Sequence, residues 1–105
     1  MAPTDTDQEQ HLLRLARQND PTAMELIYST YVRYLAAVCS RYIINSEDVK
    51  DVLQDSFLKI FATIPSFEYR GKNSLKGWMT KVTVNEALKF LQRTGRMKFV
   101  EISEH

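Results

Sequence analysis

A chain of 105 residues with 44% hydrophobic and 26% charged side chains has the profile of one soluble globular domain with a modest core, and is too short for two. It has no apolar run near the ~18 residues that cross a bilayer, and "MAPTDTDQEQ" has neither the basic nor the apolar part of a secretion signal, so a cytoplasmic protein without membrane insertion is expected. The net charge of +1 conceals two electrostatic ends: residues 1–63 hold nine acids and six bases, residues 64–105 four acids and eight bases, so a polyanion suits the second end and a different partner the first.

In chain order, Leu12, Leu13 and Ala16 form a short apolar stripe ending near Asn19, a residue that tolerates the left-handed conformation at a helix end. Residues 1–19 are therefore expected to be an N-terminal segment with a short helix. Asp20 followed by Pro21 is a start signal, because aspartate caps and proline suits the first turn. Behind it Ala23, Ile27, Tyr31, Tyr34, Leu35 and Val38 recur at three- and four-residue steps, which predicts an amphipathic helix to about Cys39. Cys39 is the only cysteine, which excludes an internal disulfide, and beside Val38 it reads as a buried thiol. The segment "INSED" breaks that helix, with Asn45 or Ser46 capping the next one and Glu47 and Asp48 complementing its dipole.

Over residues 46–63 the predicted helix places Val49, Val52, Leu53, Phe57, Ile60 and, just beyond it, Ile64 on a core side. The opposite side carries Glu47, Asp48, Asp51, Gln54, Asp55, Leu58 and Ala62. An acidic stripe is ordinarily a solvated face, but Leu58 among carboxylates points to a surface for a basic protein partner. Proline, serine and glycine in "IPSFEYRGKN" predict a loop. Asn73 or Ser74 is expected to cap a last helix that runs to about Arg93. It has two apolar stripes, one of Leu75, Trp78, Met79 and Val82, the other of Val84, Ala87, Leu88 and Leu91. Residues 94–105 read as a tail or the start of a linker. Three to four helices with short connections predict an all-α, compact bundle, with residues 20–93 as its domain.

From Tyr69 to Lys98 the only acid is Glu86. The loop joins rings to cations in Phe67, Tyr69, Arg70, Lys72 and Lys76, and Lys81, Asn85, Lys89 and Gln92 continue a polar line from Trp78. Lysines and amides on an exposed helix are ordinarily solubilising, and a lone tryptophan is ordinarily core. Together these residues supply what holds single-stranded nucleic acid: cations for phosphates and platforms for unstacked bases. Enzyme chemistry has no such support. The Gly71-Lys72 pair lacks the upstream glycine of a phosphate-binding loop, since Ser66 stands in that place. His11 and His105 lie at the two ends with no partner for a nucleophile or zinc site, so no catalytic residue, metal or cofactor is expected.

The stretches "SEDVKDVLQDSFLKIF" and "FEYRGKNSLKGWMTKVTVNEALKFLQR" resemble conserved region two of the extracytoplasmic-function sigma factors, the small sigma-seventy-type initiation subunits of bacterial RNA polymerase. The resemblance lies in Asp51, Gln54, Asp55 and Phe57, then in Gly71, Trp78, Asn85 and Arg93, with "DPTAMELIYSTYVRYLAAVCSRYI" fitting the preceding helix. It implies an acidic helix docking on the polymerase beta-prime clamp helices through Asp48, Asp51, Gln54, Asp55 and Leu58. It also implies promoter melting, in which loop and last helix open the minus-ten element and capture a flipped non-template base. Phe67, Lys72, Asn73 and Ser74 are then the expected pocket, Arg70, Lys76, Lys81 and Lys89 the phosphate contacts, and Asn85 a holder of loop or strand. Tyr69 and Trp78 complete the expected DNA-binding set, and an anti-sigma factor is an expected further partner. The family usually has isoleucine, alanine and a basic residue where Val82, Thr83 and Val84 stand, which implies one phosphate contact fewer. It also carries a C-terminal helix-turn-helix domain, so the chain is expected to be one domain of a longer protein. The alternative is a helical protein-interaction module, such as an anti-sigma-binding relic, that binds no DNA.

Overall fold

Local capping chemistry sets most of the helix boundaries. The structure, a computed structural model, describes residues 5–95, with side chains from Gln8 onward. Helix α1 spans Asp5–Arg17, α2 Pro21–Ser40, α3 Ser46–Thr63 and α4 Ser74–Arg93, with a short 3-10 turn at Ile64–Ser66. The all-α expectation holds. Asn19 takes the left-handed conformation (φ 57°) just after α1. The Asp20 carboxylate accepts the Thr22 N–H at 2.9 Å with Pro21 opening α2. Of the two expected caps for α3, Asn45 is the one used: its side-chain oxygen accepts the N–H groups of Glu47 and Asp48 at 2.9 and 3.1 Å. Each such cap contributes about 1 kcal/mol. The tail expected at 94–105 lies, from residue 96 onward, outside the described residues.

The apolar stripes of α2, α3 and α4 converge on one core, and Leu12, Leu13 and Ala16 of α1 join it. Ile27, Leu35, Ile60, Ile64, Leu75 and Met79 are fully enclosed. Cys39 is buried, as expected, and its burial pushes the thiol pKa up. Two hydroxyls are also enclosed, and each returns to its own helix: Ser56 donates to the Val52 carbonyl at 2.7 Å and Thr83 to the Met79 carbonyl at 3.0 Å. Tyr34 departs from the expected core. It lies at the edge of the α2 stripe, is 39% exposed, and receives the Lys76 ammonium over its ring at 4.2 Å.

Candidate nucleic-acid interface

The loop between the 3-10 turn and α4 is shaped by backbone geometry and held from outside. Phe67 N–H closes the turn on the Ile64 carbonyl at 3.0 Å, after which the chain leaves in an extended conformation. Gly71 has φ 113°, a conformation that only glycine adopts without strain. The Ser74 hydroxyl accepts the Arg70 N–H at 3.0 Å, and Ser74 N–H donates to the Gly71 carbonyl at 3.0 Å. The start of α4 corrects the sequence expectation: Asn73 stands at the cap position in the left-handed conformation (φ 65°), but neither its side chain nor that of Ser74 caps the helix. The cap comes from α1. The Glu9 carboxylate, 3% exposed, accepts the Asn73 N–H at 2.9 Å on one oxygen and the Lys76 N–H at 3.1 Å on the other. At the other end of the loop, the Arg17 guanidinium donates to the Phe67 carbonyl.

Against this loop lies a cavity of about 640 Å³. One wall is the pair Phe67 and Trp78, both partly buried, with ring centroids 4.8 Å apart and planes tilted by 33°. Arg70, Ser74 and Lys81 also line it, so five of the expected residues come together there. Thr63, Ser66, Glu68 and Gly77 complete the lining. These four were not foreseen, because small and polar residues in a loop carry no distinctive pattern. Glu68 lies 3.4 Å from the Arg70 guanidinium, but both side chains are largely exposed and the pair is worth little.

The remaining expected residues do not join this cavity. Tyr69 lines a separate recess with Arg14 and Arg17 of α1, and its hydroxyl is buried with no hydrogen-bond partner among the described residues. Asn73 and Lys76 face a small recess beside Tyr34 and Glu9. Lys89 is 3.2 Å from Glu86, which also receives Lys59 at 3.5 Å. Lys72 and Asn85 are exposed, Lys72 on the loop and Asn85 on α4 one turn beyond Lys81. Glu9 and Arg17, which hold the loop, were missed as well. Glu9 sits three and four residues before Leu12 and Leu13, on the apolar side of α1, and a carboxylate in that register is the signal that it has a buried partner.

A second feature lies between α2 and α3. Asp51, Gln54 and Asp55 are exposed on α3, Asp48 is partly buried, and Leu58 is 64% exposed. Gln54 and Leu58 border a groove of about 490 Å³ together with Leu53, Phe57, Phe61, Tyr28 and Lys50. Tyr28, 49% exposed, packs its ring 4.8 Å from Phe57, and Lys50 reaches Glu47 at 3.6 Å. The acidic face is thus bordered by a tyrosine from α2 and by one lysine, neither anticipated from the helix alone. Among the described residues no helix is long and apolar enough to cross a membrane, and no group of three or more His, Cys, Asp and Glu side chains is placed to hold a metal ion.

The sequence profile for Sigma-70 region 2 matches residues 27–97. The chain is 35% identical over 88 residues to the ECF RNA polymerase sigma-E factor of Haemophilus influenzae, covering 84% of this chain and 45% of that protein. It is 33% identical over 88 residues to the Escherichia coli K12 protein of the same name, covering 84% of this chain and 44% of that one. The chain therefore spans less than half the length of these relatives. Among solved structures, it is similar to an engineered region 2 of sigmaE in complex with GTAAAA. The TM-score is 0.76 at 30% identity, covering 91% of this chain and 96% of that one.

Proposed function

The chain belongs to the Sigma-70 region 2 family, and from that premise we propose that it is the promoter-melting domain of a bacterial alternative sigma factor, acting in the cytoplasm by binding and not by catalysis. In this reading the α3 face docks on the beta-prime clamp helices of RNA polymerase, with Leu58, Gln54 and Tyr28 entering an apolar contact and Asp48, Asp51 and Asp55 meeting basic residues. An anti-sigma factor would compete for the same face. The cavity at the loop receives a base flipped from the non-template strand of the minus-ten element. Unstacking and unpairing that base costs a few kcal/mol, and the Phe67–Trp78 wall offsets it by covering the base. Arg70, Lys72 and Lys81 take adjacent phosphates, and Asn85 contacts the strand beyond Lys81. Lys76 and Lys89 contribute mainly to the local field, since one lies over Tyr34 and the other against Glu86.

The observation that carries the reading is the cavity itself, an aromatic wall with two cations at its rim beside a loop held at both ends. Support also comes from the likeness to a region 2 in complex with GTAAAA. The test is fluorescence anisotropy with single-stranded GTAAAA and with versions changed at one base in turn. Discrimination of about 1–3 kcal/mol at the captured base is expected. Equal affinity for every oligonucleotide would refute base capture and leave a protein-interaction module.

A further inference from the structure

Helix α1 lies outside the residues that the family profile matches, yet it supplies both side chains that grip the loop. We propose that α1 is a splint for base capture, in which Glu9 and Arg17 are positioning residues that set the loop geometry on which base selectivity depends. The inference rests on the base-capture reading above.

Glu9 carries the argument. A carboxylate that is 3% exposed is costly to enclose unless its oxygens are hydrogen-bonded, and each oxygen accepts a backbone amide at the start of α4, one from Asn73 and the other from Lys76. These bonds join a charged acceptor to the positive end of α4, the arrangement in which a hydrogen bond is strongest. They also hold Asn73 in the left-handed conformation, where its own side chain makes no capping hydrogen bond. Arg17 fixes the other end at the Phe67 carbonyl.

Glu9 and Arg17 are eight residues apart on one helix, so their backbone positions are about 12 Å apart along its axis. Between the two gripped residues the loop turns at Gly71, with φ 113° and its carbonyl accepting the Ser74 N–H at 3.0 Å. Leu12, Leu13 and Ala16 lie in the core between the two grips, which makes α1 a rigid support.

Loosening such a loop affects its two kinds of contact unequally. Hydrogen bonds to a base edge fail with small changes of distance and angle. Cations on long stems follow a displaced phosphate, so the salt-dependent part of the affinity persists.

The test uses the full chain, single-stranded GTAAAA and its single-base variants, with the substitution Glu9→Gln. Glutamine preserves shape and one acceptor but removes the charge and the second acceptor. The affinity ratio between GTAAAA and the variant altered at the captured base should fall about tenfold, the scale of one charge-assisted hydrogen bond. The salt slope and far-ultraviolet circular dichroism should be unchanged, and Arg17→Ala should act in the same direction. An unchanged ratio for Glu9→Gln overturns the proposal. So does an equal loss of affinity for all oligonucleotides with loss of helical signal, which would make α1 merely a stabilising element.

Should the unsubstituted chain show no base preference, the base-capture reading falls, and amide hydrogen exchange judges the splint separately. Faster exchange at Asn73 and Lys76 in Glu9→Gln, with α2 and α3 unaffected, supports it; equal rates overturn it.

Discussion

The Phe67–Trp78 pair can be isolated by a double-mutant cycle. A fully covered aromatic side chain buries roughly 150–250 Å². At about 25 cal/mol per Å², a ring that keeps part of its surface exposed gives Trp78→Ala a cost of about 3 kcal/mol. Phe67→Ala, smaller and also partly exposed, should cost about 2 kcal/mol by the same reasoning. The centroid separation of 4.8 Å and tilt of 33° place the rings in direct contact, where such pairs add about 0.5–1.5 kcal/mol beyond area burial. The double variant should therefore be less destabilised than the sum of the singles by about 1 kcal/mol. Urea unfolding must be followed by circular dichroism, because Trp78 is the only tryptophan and its fluorescence disappears in two of the four proteins. Midpoints should move with the denaturant slope unchanged. Costs that add within about 0.3 kcal/mol would refute the contact and return Phe67 to the role of a free platform for a base.

Two further results are expected. Lys81→Ala should lower the salt slope of oligonucleotide binding by about 0.7, one phosphate contact on a single strand, whereas Lys89→Ala should leave it unchanged because its ammonium already lies against Glu86; a slope lowered equally by both would remove the distinction drawn between them. Reversing Asp51 and Asp55 to lysine should weaken pull-down of a beta-prime clamp-helix fragment without loss of helical circular dichroism, and unchanged binding would exclude that face from docking.

What could be read along the chain was whatever is settled between near neighbours. Asp20 and Asn45 cap helices that begin at the next residue, and the core stripes of α2 and α3 follow from a 3.6-residue period, so those elements stand where they were expected. The start of α4 at Ser74 was legible too, but not what caps it, because that carboxylate arrives from Glu9, 64 residues away. The cations show the same boundary. Lys76 and Lys81 read alike in sequence, but the packing of α2 on α4 puts one over Tyr34 and leaves the other at the cavity. Lys89 has Glu86 three residues before it on the same helix, a pairing that near neighbours settle, and only the fold adds Lys59 of α3 at that carboxylate. Tyr34 and Phe67 each lie at an edge of the apolar surface, where periodicity does not decide between enclosed and exposed.

The distance in sequence between Glu9 and Asn73 also orders events in time. Synthesis at about 5–20 residues per second separates the two by roughly 3–13 seconds, while helices and their hairpins form in microseconds. During that interval α1 has only α2, and then α3, to pack against, and its carboxylate waits without the amides that it will hold. The loop beside the cavity consequently takes its held form only once Lys76 has been made, although the carboxylate that shapes it is made more than sixty residues earlier.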